Sequence, residues 1–250
     1  MQPHASSFVS VGIAAVAIAL AIAGAILYAQ AGQALGEPAA VRRRRFWRAL
    51  AVLTAWLAIT GGVAASGVLT NFTRRPPPIM FIVMGTAAAG LAVGLSPVGR
   101  RLVVGLPFAA LIGLQSFRLP LELVMHRAAR EGVMPIQMSF SGWNFDILAG
   151  LSAIVVSVLA AKGRAPRRLI AAWNVTGALL LVNVAAIGVS SLPMFAAFGT
   201  APERLDTWLA YFPYVWLAPV MVAAAMAGHL LVARKLFAAR AADVPGRRGG

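Results

Sequence analysis

Seven apolar runs, separated by short basic or proline-containing breaks, constrain this chain more than any motif in it. They lie at about residues 8–31, 47–71, 79–96, 102–126, 146–161, 169–192 and 208–233. A helix needs about 20 predominantly apolar residues to cross a hydrocarbon layer of roughly 30 Å, so runs of this length read as successive crossings. Composition agrees, because 60% of the 250 residues are hydrophobic and 12% charged, against roughly 45–50% and about 25% in a soluble domain. The expectation is an all-α integral membrane protein, a bundle of seven transmembrane helices forming a single domain over residues 1–240. Residues 241–250 read as a disordered basic cytoplasmic tail. With the runs so closely spaced, no soluble domain is expected between them.

The basic residues orient the bundle, since arginine and lysine near span ends are retained on the cytoplasmic side. Arg42, Arg43, Arg44, Arg45, Arg48, Arg100, Arg101, Lys162, Arg164, Arg167, Arg168, Arg234, Lys235, Arg240, Arg247 and Arg248 fall on one side. Arg74, Arg75, Arg118, Arg127, Arg130 and Arg204 fall on the other, a ratio of 16 to 6. An external amino terminus and a cytoplasmic carboxyl terminus follow. On that arrangement Glu203, Asp206, Trp208, Tyr211, Phe212, Tyr214 and Trp216 mark the outer end of the seventh span as an interfacial belt.

The net charge of +15 is spread over the connections in the positive-inside pattern, which points to membrane topology and not to nucleic acid. The run Arg42 to Arg45 is first a topology determinant, and it is also the expected contact for anionic lipid head groups. Only Lys162 and Lys235 are lysine among 22 basic residues, a bias that suggests a GC-rich bacterial genome and hence a bacterial inner membrane. Cysteine is absent, so disulfides, thiolate metal sites and cysteine nucleophiles are absent with it. The triplet Ala29-Gln30-Ala31 resembles a signal cleavage site. The preceding run is too long for an h-region and carries no basic flank, so it reads as a retained span.

One stretch differs from all the others. Gln115, Arg118, Glu122, His126 and Arg130 are spaced by three or four residues, which puts them on one face of a helix. If that helix begins near Leu102, Arg118 lies roughly 24 Å along it, toward the outer leaflet. Charged groups there are costly against lipid, so Arg118 and Glu122 are expected to face the bundle and to pair with each other across one turn. Pro120 between them removes a helix N–H and predicts a kink. The following loop, with Met134, Ile136, Met138 and Phe140 alternating against polar neighbours, is expected to fold back over this face or to lie as an interfacial flap. That would bring Asn144 and Asp146 to the stripe, although Asp146 also suits a helix N-terminus by the macrodipole alone.

Several chemistries fit these residues. Arg118 can dock an anionic or polar solute, with Glu122 orienting it and His126 as a titratable gate. Glu122 and His126 at i, i+4, with Asp146, are a possible metal set. Haem held by His126 and His229 is disfavoured because His229 falls near the cytoplasmic end of the seventh span. Asn174, Thr176 and Asn183, and the small residues Thr60, Gly61, Gly62, Ser66 and Gly67, are accounted for by helix packing.

The run Phe117-Arg118-Leu119-Pro120-Leu121-Glu122, followed by Gly132, Pro135, Met138, Phe140, Gly142 and Asn144-Phe145-Asp146, resembles a pattern in uncharacterised bacterial seven-helix membrane proteins. The resemblance spans about 30 residues and implies no activity. It does group Arg118, Glu122, Asn144 and Asp146. Better known seven-helix families do not fit: the seventh span has no internal lysine for a retinal Schiff base, and three scattered histidines do not build a ceramidase-like zinc centre. The resulting expectation is binding of a small polar or anionic molecule by Gln115, Arg118, Glu122, His126, Asn144 and Asp146, for sensing or transport. The alternative is a structural or assembly subunit in which Arg118 and Glu122 are a packing element. No cofactor or resident metal is expected, and catalysis is the least favoured reading.

Overall fold

The computed structural model describes residues 5–242, so residues 243–250 of the expected basic tail lie outside the described residues. Nine α-helices appear among the described residues: α1 (Ser7–Ala34), α2 (Ala39–Ala65), α3 (Pro78–Leu95), α4 (Pro97–Gly105), α5 (Phe108–Gly113), α6 (Arg118–Arg130), α7 (Ile147–Ala161), α8 (Arg167–Ser191) and α9 (Ala223–Ala242). A 3-10 turn at Leu114–Phe117 joins α5 to α6, making one span from Phe108 to Arg130. A 3-10 turn and a π turn run into α9 from Tyr214.

Six of the resulting helical spans are long and apolar enough to cross a membrane. The region expected as a fifth span is α7, which has 15 residues and measures about 22 Å. It is apolar but shorter than the hydrocarbon layer.

Proline writes the boundaries. Helices α2, α3, α5 and α8 have Pro38, Pro77, Pro107 and Pro166 at their N-caps, and α4 opens on Pro97 behind Ser96. Proline suits these positions because its fixed φ is helical and the first N–H groups of a helix have no internal acceptor. Two expected spans move for this reason. The run at 102–126 is split, since Leu102 belongs to the short α4 and the span proper begins after Pro107. The run at 47–71 starts earlier, at Ala39, and Arg42 to Arg45 are helical and not part of a connection.

The span ending in α9 is the centre of the bundle. Burial reaches 72% in its most apolar window, against 22–44% in the other five spans. It packs on α3, α4, α5 and α8, while α1 pairs with α2 and also touches α4 and α6. Trp208, Tyr214 and Trp216 are therefore buried at 0%, 2% and 8% exposure, which removes these three from the expected aromatic belt, while Phe212 is exposed and Tyr211 half-buried. The three pack inside because this segment enters the bundle through turns and not along its rim. Pro219 sits in the π turn, and its carbonyl accepts a hydrogen bond from Trp56 Nε1 at 2.9 Å.

Two buried apolar clusters fill the bundle. One holds Ile13, Leu121, Met125, Tyr214 and Met221, and the other Ile112, Ala153, Trp173, Leu231 and Val232. In α8 and in the spans that contain α6 and α9, the boundary between them falls at the polar residues described below. The outer surfaces expose large apolar side chains such as Ile18, Val52, Phe81, Leu151 and Leu179, the pattern of a surface solvated by lipid.

Helix α7 reaches the site because of one missing side chain. A Cβ on Gly150 would collide with the backbone nitrogen of Leu119. Gly150→Ala should therefore push α7 off α6 and cost about 1–3 kcal/mol, read as a lower Tm in detergent. An unchanged Tm would contradict this close approach.

Candidate functional site

Arg118 lies ten residues into its span, about 15 Å from Phe108 and near the middle of the bundle. The expected start of this helix near Leu102 is thus corrected, because Pro107 sets the start of the span. Arg118 is 1% exposed, and a guanidinium at that depth needs an acceptor for every N–H.

It has them. Nε donates to Asp146 Oδ2 at 2.5 Å and Nη2 donates to Asp146 Oδ1, a bidentate pair. Nη1 donates to His229 Nε2 at 2.9 Å, and both terminal nitrogens reach the Gly177 carbonyl at 3.3–3.4 Å. All five N–H donors are used. Because arginine only donates, His229 Nε2 must accept, which makes Nδ1–H the donor to Asn174 Oδ1 at 3.0 Å. The chain Asp146–Arg118–His229–Asn174 ties α6 to α7, α8 and α9. Gly177 permits it, since a Cβ there would strike the His229 ring.

The expected Arg118–Glu122 pair does not form. Glu122 turns instead to Asn144, whose Nδ2 stands 2.9 Å from both carboxyl oxygens and also donates to the Met138 carbonyl at 2.9 Å. Asn144 Oδ1 accepts from the Asp146 backbone N–H at 2.9 Å, which fixes the orientation of the amide. Asp146 is at the N-cap of α7, yet its side chain caps nothing and is committed to Arg118. The pairing partner was set by the loop: the fold brings residue 146 to the guanidinium in a bidentate geometry that residue 122 does not match.

The other residues of the stripe diverge. Gln115 is fully buried beside Gly228, with no hydrogen bond on its amide. His126 is half-buried, stacks on Phe140 with ring centroids 4.2 Å apart, and meets Ser141 Oγ at 3.3 Å. It is not gathered with Glu122 and Asp146, and no three His, Asp or Glu residues group as metal ligands among the described residues. Arg130 is exposed. The loop from α6 to α7 does fold onto the bundle: Met134, Gln137, Met138 and Ser139 are buried, and Gln137 Nε2 donates to Ser191 Oγ and the Arg204 carbonyl. Ile136, expected with the inward set, is 48% exposed.

A cavity of about 190 Å³ opens beside this network, between α3, α6, α8 and the π turn before α9. Its walls are mostly apolar, including Val83, Leu121, Leu181 and Met226. Arg118, Glu122 and Asp146 border it, and Asp206 joins them from the segment after α8. Gln115, His126 and Asn144 do not. Asp206 is 0% exposed, with no hydrogen-bond partner on either carboxyl oxygen. Burial pushes its pKa up to about 7, offset only in part by the backbone N–H of Leu209, which approaches without closing a hydrogen bond.

His229, Asn174 and Asp206 are given other roles by the sequence: a disfavoured haem ligand, a helix-packing residue and part of an interfacial belt. His229 falls mid-span only because its span runs from Tyr214 to Ala239, six residues beyond the expected start. A histidine and an asparagine inside apolar runs are the signal that points to them, because intramembrane polar groups find one another.

Two outcomes test this geometry. Arg118→Gln leaves Asp146 buried without its cation and should cost about 3–5 kcal/mol, whereas the double variant Arg118→Met/Asp146→Leu should regain most of the loss. Thermal stability in detergent reads both. Equal instability of single and double variants would show that the pair is not the coupled unit. For Asp206, a carboxyl pKa raised in the folded state means that folding favours the protonated form, so stability should fall as pH rises from about 4 to about 7. Asp206→Asn should flatten that decline in Tm, and an identical slope in both proteins would refute it.

Comparison with protein-family models, curated proteins and solved structures returns no match to this chain.

Proposed function

We propose that this chain is a multi-pass protein of a bacterial inner membrane that binds an amphiphilic molecule in the cavity beside α6, for sensing or transport. The observation that carries this reading is a pair of buried carboxyl groups with acceptor capacity to spare in an otherwise apolar chamber, Asp206 with no hydrogen-bond partner on either oxygen. A carboxyl group offers up to four acceptor positions, yet Glu122 meets a single side-chain amide nitrogen and Asp206 meets none. Burying such groups is costly unless something donates to them. The matching ligand has an apolar body for the walls and a head that donates hydrogen bonds or carries positive charge. An anionic solute at Arg118 is less well matched, because it would have to displace Asp146 from a guanidinium with no free N–H.

The same reading has α7 completing a seventh crossing, with the basic connections cytoplasmic, the amino terminus external and the cavity in the outer half. A short helix is accommodated by local thinning of the bilayer, and the buried α6–α7 loop covers the rest of the distance.

A second reading has its own observation. The closed Asp146–Arg118–His229–Asn174 chain leaves no donor over for a ligand, which is how a purely structural fastening in an assembly subunit would look. The two are separated by native mass spectrometry of the detergent-purified protein beside Glu122→Gln and Asp206→Asn. A discrete non-lipid mass carried by the wild type and lost in both variants is the expected result. Identical adducts in all three proteins, lipids included, would leave only the structural role.

A further inference from the structure

Away from the cavity, charge is concentrated where α1 and α2 meet. Arg42 to Arg45 and Arg48 lie in the first turns of α2, and no acidic residue is present in the opening turn. Glu37 is the carboxylate that answers them among the described residues. Its oxygens accept from Arg101 Nη1 at 2.5 Å and Nη2 at 2.7 Å, and one lies 3.0 Å from Arg45 Nη2. Arg101 is held further by the Tyr28 carbonyl at 3.3 Å and lies over the Tyr28 ring. Arg45 Nε is buried without a partner. Arg44 and Arg48, one helical turn apart and exposed, have no ion pair among the described residues.

Three unfavourable features thus coincide. Like charges at i, i+4 repel, positive charge sits toward the positive end of the helix macrodipole, and a buried donor is unmet. One anion with several acceptor oxygens relieves all three. Space for it exists: a cavity of about 210 Å³ is bounded by Tyr28, Arg44, Arg45 and Arg48. Guanidinium forks match phosphate oxygens in pairs, which makes phosphate the fitting chemistry.

The surroundings identify the source. Trp47, beside the cluster, is 60% exposed, and Val52 and Ile59 further along α2 are 69% and 61% exposed. An exposed tryptophan above an exposed apolar flank marks the level of lipid head groups. We propose that Tyr28, Arg44, Arg45 and Arg48 form a binding site for the phosphate of an anionic phospholipid. A zwitterionic lipid brings its own ammonium and leaves the arginine charge uncompensated. This site is independent of the cavity beside α6 and stands or falls separately from it.

The test uses the full chain in a neutral detergent, titrated with phosphatidylglycerol, phosphatidylcholine or inorganic phosphate, and followed by thermal shift and native mass spectrometry. Phosphatidylglycerol is expected to raise the wild-type Tm and to remain as a discrete adduct, while phosphatidylcholine does neither. The double variant Arg44→Gln/Arg48→Gln should bind phosphatidylglycerol about thirtyfold more weakly, the loss expected for two guanidiniums at an anionic head group. Arg74→Gln/Arg75→Gln, in the connection between α2 and α3, should bind it like the wild type. Equal responses to the two lipids, undiminished binding by the Arg44/Arg48 variant, or an equal loss in the Arg74/Arg75 variant would overturn the proposal. A shift given by inorganic phosphate and not by phosphatidylglycerol would overturn the lipid as the source.

Discussion

An arginine at mid-span has five N–H donors to satisfy within the protein, and the packing of the central helices follows from how Arg118 does so. Asp146, His229 and Gly177 each come from a different helix, so satisfying one side chain places α7, α8 and α9 around α6. The costs are balanced locally. The ion pair cancels charge, and a neutral imidazole and a carbonyl complete the donors without adding charge back. The glycines at 150 and 177 clear the backbone and ring contacts that this convergence creates.

The polar layer also divides the bundle. Apolar clusters lie on either side of it. Within the layer two kinds of group behave differently. Arg118, Asp146, His229 and Asn174 saturate one another and form a closed fastening. Glu122 and Asp206 remain with acceptor capacity unspent, and both face the same chamber. Closed pairing and spare acceptor capacity therefore lie side by side in one layer, carried by different residues.

Proline determined where these groups sit along their helical spans. Pro107 delays the start of the Arg118 span, and the turns around Pro213 and Pro219 delay the last helix. Both shifts carry a charged or titratable residue from an expected end position to the middle. Without them His229 would lie near an interface, and the guanidinium would lack its fourth wall.

The sequence by itself determined the class of fold. Apolar runs of crossing length leave helices as the option for a chain whose backbone must satisfy its own hydrogen bonds in hydrocarbon, and that requirement is local enough to read without coordinates. It also determined that Gln115, Arg118 and Glu122 turn inward, because a 3.6-residue period carries charged side chains away from lipid together. Tertiary structure alone decided which partner each took. Arg118 passed over Glu122, four residues away on its own helix, for Asp146, 28 residues on, and for His229, 111 residues on. The reason is physical: sequence spacing reports neighbours on one helix, whereas acceptors for a buried guanidinium come from whichever helices pack against it.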